Sequence, residues 1–370
     1  MYPEVEAVLR GDVRTIKLFA EMAQPVHVPA LEEIEKQFMN EFDYVVEGQQ
    51  LAKVRENLLR GGLAGDASKL CAVPKPYMDL TTKRVLVMEE LKGEKFADAL
   101  QRNLKDYAKH VGKTVEDIVA EQKKQTDDND GNPTQGPTAA QYDLYISLLD
   151  SKRRLDNLTA SLYNNTVGWL PGVMAKPYEP KTVLPFNHAR LVDDLIKIHG
   201  HEVLVDGYFN GDCHPGNILL LGTDSGKPQL GLIDYGQVKQ LTDEQRLLMC
   251  EFVVALADND VAEIVRCIKA SGYKSKYMNE DLMYKYARVA FDQDNREITG
   301  GKHIQLFMED IENADPVVEL PRNFIMVSRC SLLLRGLAHA LGQSRSIAEL
   351  WKPIALEELA KRDRDVPVSK

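Results

Sequence analysis

The stretch YFNGDCHPGNILLL, residues 208–221, limits this chain most. His-Pro-Gly is turn chemistry, and the four apolar residues after it read as a short buried strand. A turn alone does not need Asp212 and Asn217 at a fixed distance on either side. A second apolar run, QLGLIDYG, follows after GTDSGKP, so the two runs read as a hairpin. A hairpin brings its ends together. Asn217 then lies beside Asp234, with Asp212 close by. Three oxygen-bearing side chains converge, and hard oxygen ligands suit Mg²⁺, which in such a partial site rides on phosphates. Each piece alone has a plainer reading: Asp212 as a turn residue, Asn217 as a strand cap, Asp234 to Gly236 as a hairpin end. Their order on one strand-turn-strand unit, behind an amphipathic helix, is what argues for a site.

A chain of 370 residues can bury a substantial core as one large domain or two small ones. With 46 basic and 56 acidic residues, its net charge of -10 argues against a nucleic-acid binder, which needs clustered Lys and Arg. It does not argue against a nucleotide pocket, which is local. Cys71, Cys213, Cys250, Cys267 and Cys330 are scattered and contain no CxxC pair. That pattern points to a reducing compartment without a disulfide framework or a zinc site. The most apolar run, FIMVSRCSLLLRGLAHALG, is interrupted by Arg329 and Arg335 and reads as a buried amphipathic helix. The N-terminus carries early acidic residues and shows neither a secretory segment nor a transit peptide.

Along the chain, DVRTIKLFAEM reads as a helix capped by Asp12. A longer one carries Leu31, Ile34, Phe38, Phe42 and Val45 as one apolar stripe. Residues 70–78 and 84–89 read as a hairpin with its turn at Asp79 to Lys83. Residues 121–141 are polar and rich in Asp, Asn, Gly, Pro and Thr, and are expected as a disordered or surface loop. A short helix is expected near Tyr142 to Leu162. A third helix carries Leu191, Leu195 and Ile198. After Gln237 everything reads as helical, starting with the capping-box pair Thr242 and Gln245.

Other polar candidates read as structural. His214, before Pro215, braces the loop by a hydrogen bond. HGHE, residues 199–202, lacks the second His of a zincin helix and reads as an exposed helix end. Cys213 has no evident basic neighbour and reads as a small filler.

The spacing D-x-x-x-x-N followed by D-[FY]-G is that of the protein-kinase-like catalytic loop. There Asp212 orients or deprotonates the attacking hydroxyl, Asn217 and Asp234 hold metal ions, and Gly236 lets the backbone turn sharply. With further stretches the chain resembles the UbiB/aarF-domain (ABC-one) atypical kinases. YPEVE resembles the segment after that family's nucleotide-lysine strand. NEFDYVVEGQQLAKVREN resembles its E-x-D motif, with Glu41, Asp43 and Glu47 in place. VPKPYMDLTTKRVLVMEELKG resembles its strand pair and hinge, and LPRNFIMVSRCSLLLRGLAHALG its C-terminal helix.

The resemblance implies an α+β, protein-kinase-like, two-lobed fold: an incomplete N-lobe over residues 1–92, and a mostly helical C-lobe over 93–370 with an insertion at about 105–186. It implies Glu47 as the helix-C carboxylate and Glu89 to Leu91 as the hinge whose backbone meets adenine. It implies ATP and Mg²⁺ as cofactors and ATPase-like rather than ordinary protein-kinase activity. The setting it implies is isoprenoid-quinone (ubiquinone) biosynthesis or lipid homeostasis in a mitochondrion or plastid. A lipid or quinone-precursor ligand, a membrane-associated biosynthetic complex and no nucleic acid go with that setting. The short step from Gly236 to Thr242 agrees, since it leaves no activation segment or A-P-E motif on which a peptide docks. The family's K-x-G-Q helix, Ala-rich loop and strand lysine belong before Tyr2, so the sequence is expected to be truncated. Two other functions stay open: a non-catalytic pseudokinase scaffold, and an aminoglycoside- or choline-kinase-like phosphotransferase. EFDYVVE with YPEVE favours the UbiB-type kinase or ATPase over the phosphotransferase.

Overall fold

Asp43 sets where the first helix begins. Its backbone is non-helical, and its carboxylate accepts a hydrogen bond from Val45 N at 3.1 Å, an N-cap ahead of α1 (Tyr44–Arg60). The computed structural model describes residues 43–66, 69–128, 137–168, 170, 174–179, 186–223, 227–293 and 296–365. The expected helix at Asp12 and most of the Leu31 to Val45 stripe lie outside these residues, as does Glu41. The stripe does not continue as one helix into α1, because the cap at Asp43 starts the helix afresh. Gly48, Leu51, Val54 and Leu58 form the buried face of α1.

The expected 70–89 hairpin is present in reduced form. β1 is only Cys71–Ala72, and beyond it the two arms meet at isolated bridges, Pro76 to Met88 and Thr82 to Val85. Pro74 and Pro76 lack donors, so no continuous ladder forms. The chain turns at Met78 to Leu80 and again, tightly, between Thr82 and Val85, which overlaps the expected place and extends past it. Helix α1 docks on this hairpin at Gly48, where an added Cβ would lie 2.8 Å from Met78 Sδ.

Next come β2 (Gly93–Lys95), α2 (Phe96–His110), α3 (Val115–Asp128) and α4 (Ala139–Thr166). Two expectations change here. The polar run from 121 is helical through Asp128, not loop. The short helix near Tyr142 is 28 residues long and starts with a Thr138–Gln141 capping box.

The site-bearing part follows: α5 (His188–Leu204), β3 (Tyr208–Asn210), β4 (Ile218–Leu221), β5 (Gln229–Leu232) and β6 (Val238–Gln240). β4 and β5 are the expected hairpin, in register Ile218 to Leu232 through Leu221 to Gln229. They sit inside a four-stranded sheet of order β1-β5-β4-β2, in which only β1 and β5 run parallel. β5 is buried along its whole length. The Gln229 amide closes the sheet's far end by donating to the carbonyls of Asp66, Lys69 and Cys71.

The remainder is mostly helical: α6 (Asp243–Asp258), α7 (Val261–Ala270), β7 (Lys274–Ser275), α8 (Glu280–Phe291), α9 (Arg296–Thr299), α10 (Ile304–Ala314), β8 (Val317–Glu319), α11 (Arg322–Ala340) and α12 (Ile347–Asp365). The Thr242–Gln245 capping box starts α6 as expected. The reading that only helices follow Gln237 fails at β6, which pairs with β3, and at the β7–β8 pair. Helix α5 is the central post. α12 and α6 pack along it, and Trp351 of α12 donates its indole N–H to Ile196 O at 2.7 Å. Gly200 gives that indole room, since a Cβ there would lie 2.6 Å from Trp351 Cδ1. Among the described residues no helix is long and apolar enough to cross a membrane.

Candidate functional site

Pro215 to Asn217 form a single 3-10 turn between Asp212 and β4. His214 caps it, its Nδ1 accepting from Gly216 N at 3.0 Å, which is the bracing role read from the sequence. Asn217 is then delivered at the root of β4. Directly across, Ile233 N donates to Asn217 O at 3.2 Å, so Asp234 follows immediately on the facing strand end. The hairpin thus sets Asn217 and Asp234 side by side.

Asn210 ties Asp212 to this pair. Its amide nitrogen donates to Asp234 O at 2.9 Å, and its amide oxygen accepts from Asp212 N at 2.9 Å. One side chain therefore links the loop that carries Asp212 to the loop that carries Asp234. Sequence reasoning missed Asn210, although an Asn two residues before an Asp is an Asx-turn signal. Asp212, Asn217 and Asp234 are all partly exposed, so their side chains are accessible.

Asp234 bends back on its own loop, with Oδ1 accepting from Gly236 N at 2.9 Å. The chain turns at Gly236 and Gln237 as expected, with the φ of Gly236 outside the left-handed region. A Cβ there would meet Asp234 Oδ1 at 3.4 Å and Glu47 Oε2 at 3.9 Å, ordinary contact distances, so the Glu47 carboxylate of α1 lies beside the Asp234 to Gly236 loop. Asp43 spends its carboxylate on capping α1. In the hinge, Glu89 N donates to Lys75 O at 2.9 Å, and the Glu89 carboxylate turns back to Lys75 N at 3.1 Å. Both the backbone N–H and the carboxylate of Glu89 are thus engaged by Lys75. Asn217 and Asp234 form a hard-oxygen donor set that fits Mg²⁺.

Beneath the loops the structure corrects two readings. HGHE is not an exposed helix end: His199 and Glu202 are buried in α5. Glu202 accepts from Tyr235 Oη at 2.9 Å and from Asn210 N at 3.2 Å, so it holds both loops from below. Burial raises its pKa, and burial with the nearby Glu202 charge raises that of Tyr235 well above normal. Cys213 is not without a basic neighbour, because His199 lies against it. Cys330 of α11 donates its thiol to Asn210 O at 3.1 Å. Contact with Cys213, then burial, pushes that thiol well above its usual range.

Arg329, read before only as an interruption of an apolar run, reaches the site. Its Nη2 lies 3.1 Å from Asp212 Oδ1. No local sequence pattern joins residues 117 apart.

A family model, the ABC1 atypical kinase-like domain, matches residues 1–150 and 165–268. Among curated proteins, a probable protein kinase UbiB of Pasteurella multocida is 25% identical over 171 residues, covering 45% of this chain and 32% of the relative. The AarF domain-containing protein kinase 1 of Gallus gallus is 24% identical over 174 residues, covering 45% and 33%. The matched stretch thus spans about a third of these relatives' length. Among solved structures, the Mycobacterium tuberculosis protein Rv3197 in complex with erythromycin superposes with a TM-score of 0.51 at 14% identity. That match covers 95% of this chain and 68% of the other. This likeness shows the fold, which is kinase-like and α+β.

Proposed function

This chain belongs to the family of ABC1 atypical kinase-like domains, and on that premise we propose that it binds MgATP at Asp212, Asn217 and Asp234 and transfers or hydrolyses the terminal phosphoryl group. The observation that carries the reading is the pair of hydrogen bonds of the Asn210 side chain, accepting from Asp212 N and donating to Asp234 O, which holds two loops distant in sequence at one point.

Asn217 and Asp234 hold the metal in this reading. Mg²⁺ neutralises charge on the β- and γ-phosphates, the main electrostatic need of phosphoryl transfer. Asp212 orients the attacking hydroxyl or water and accepts its proton. Glu47 stands where the family's helix-C carboxylate pairs with a lysine, and the backbone of Glu89 to Leu91 meets adenine.

The acceptor we propose is a small molecule, a lipid or water. β6 and the α6 cap follow Gly236 at once, which leaves a peptide no activation segment to dock on. The setting proposed from the family resemblance is isoprenoid-quinone biosynthesis or lipid homeostasis. It places the protein in a mitochondrion or plastid, beside a membrane-associated assembly with a lipid or quinone-precursor ligand.

The test is ADP release from MgATP by the wild-type chain and by Asp212→Asn. Loss of a positioned base costs roughly 10²- to 10⁴-fold in rate, with nucleotide binding retained. Equal turnover in the variant removes Asp212 from the chemistry. Binding without turnover in the wild type supports the scaffold reading instead.

A further inference from the structure

Helix α11 meets the loop at Asn210 to Cys213 through Met326, Arg329 and Cys330, the last two lying three and four residues beyond Met326. Gly211 lets the loop come this close, because a Cβ there would lie 2.8 Å from Met326 Cε. Cys330 Sγ donates to Asn210 O at 3.1 Å, and Cys213 Sγ lies 3.8 Å from Cys330 O. Arg329 is therefore carried on a helix fixed to the loop on both sides of Asp212.

One Arg329 N–H meets Asp212 Oδ1 at 3.1 Å. A guanidinium has five donors, and this side chain is 42% exposed, so part of it is open to a ligand. An ion pair this exposed does little for stability. The place it occupies matters more. Asp212 touches the attacking oxygen in the reading above, and that oxygen is in line with the phosphorus it attacks. A cation in contact with Asp212 is within reach of the phosphoryl oxygens being transferred. Asp212 and Asp234 both carry carboxylates here, so a terminal phosphate beside them needs a cation. A planar guanidinium matches phosphate oxygens well.

We propose that Arg329 binds the terminal phosphate of the bound nucleotide, a further substrate-contacting residue that α11 supplies to the catalytic loop. The proposal rests on the nucleotide reading above and goes beyond it by assigning the γ-phosphate contact.

The test is calorimetric affinity for MgATP and for MgADP, measured on the wild type, Arg329→Met and Arg329→Lys. The wild type should prefer MgATP. Arg329→Met should lose roughly 10- to 100-fold in MgATP affinity, the size of a charge-assisted hydrogen bond, while MgADP affinity holds. Arg329→Lys should recover part of the loss. A merely structural Arg329 would lower both affinities together or neither, and that result overturns the proposal. So does faster ATP hydrolysis by Arg329→Met, which would make the ion pair an inhibitory latch. Arg329→Gln replaces the Met variant if the latter does not fold, with the same expectation. A wild type that binds neither nucleotide removes the nucleotide reading itself, an outcome distinct from loss of ATP preference alone.

Discussion

Tyr235 hangs the Asp234 to Gly236 loop on Glu202. Its hydroxyl donates to the Glu202 carboxylate at 2.9 Å in the fully buried floor of the site, and the other carboxylate oxygen holds Asn210 N. One side chain of α5 thus sets the height of both functional loops. The middle residue of the Asp-Tyr-Gly triplet is an anchor, while Asp234 beside it stays open to a ligand.

Tyr235→Phe removes the donor and leaves a buried carboxylate oxygen short of a partner. The expected cost is about 1–3 kcal/mol. Urea unfolding should show a lower midpoint with an unchanged slope. An unchanged midpoint would mean that the hydroxyl does not anchor the loop.

Glu202 also predicts a pH dependence. Its pKa is raised by burial, with His199, Tyr235, Asn210 and Cys213 around it. The folded state then holds this proton at a pH where the unfolded chain has released it. The contribution to stability is full below the ordinary value of 4.5 and is lost as pH rises through the raised folded value. Glu202→Gln cannot titrate, so its stability relative to wild type should improve as pH climbs from 4.5. A relative stability that is flat with pH, or that falls, would contradict the burial effect.

Gly200→Ala tests how α12 seats on α5. The new Cβ would lie 2.6 Å from the Trp351 ring, which is fixed by its bond to Ile196 O. Overpacking of this kind costs about 1–3 kcal/mol. Thermal unfolding should shift down without loss of helical signal, and an unaltered melting temperature would show that the indole yields freely.

The hairpin, the α6 capping box and the meeting of Asn217 with Asp234 were legible because each rests on contacts between near neighbours in sequence. Asn210 was legible in principle, through its Asx turn, and was overlooked. Glu202 and His199 were misread because HGHE is polar along the chain. Their burial comes from partners elsewhere, Tyr235 at the end of β5 and Asn210 at the end of β3. Arg329 had no local signal at all. The polar run at 121–128 was misjudged for a different reason: a solvated helix and a polar loop share a composition, and periodicity is faint where little is buried.

The most direct test of the account is unfolding stability of the wild-type chain and Asp234→Asn, each with ATP and with or without Mg²⁺. At 100 times the dissociation constant a ligand adds about 2.7 kcal/mol. The account predicts that gain for the wild type only when Mg²⁺ and ATP are both present, and its absence in Asp234→Asn. Equal stabilisation of both chains, or none in a folded wild type, would contradict the assignment of Asp234 to a metal–nucleotide site.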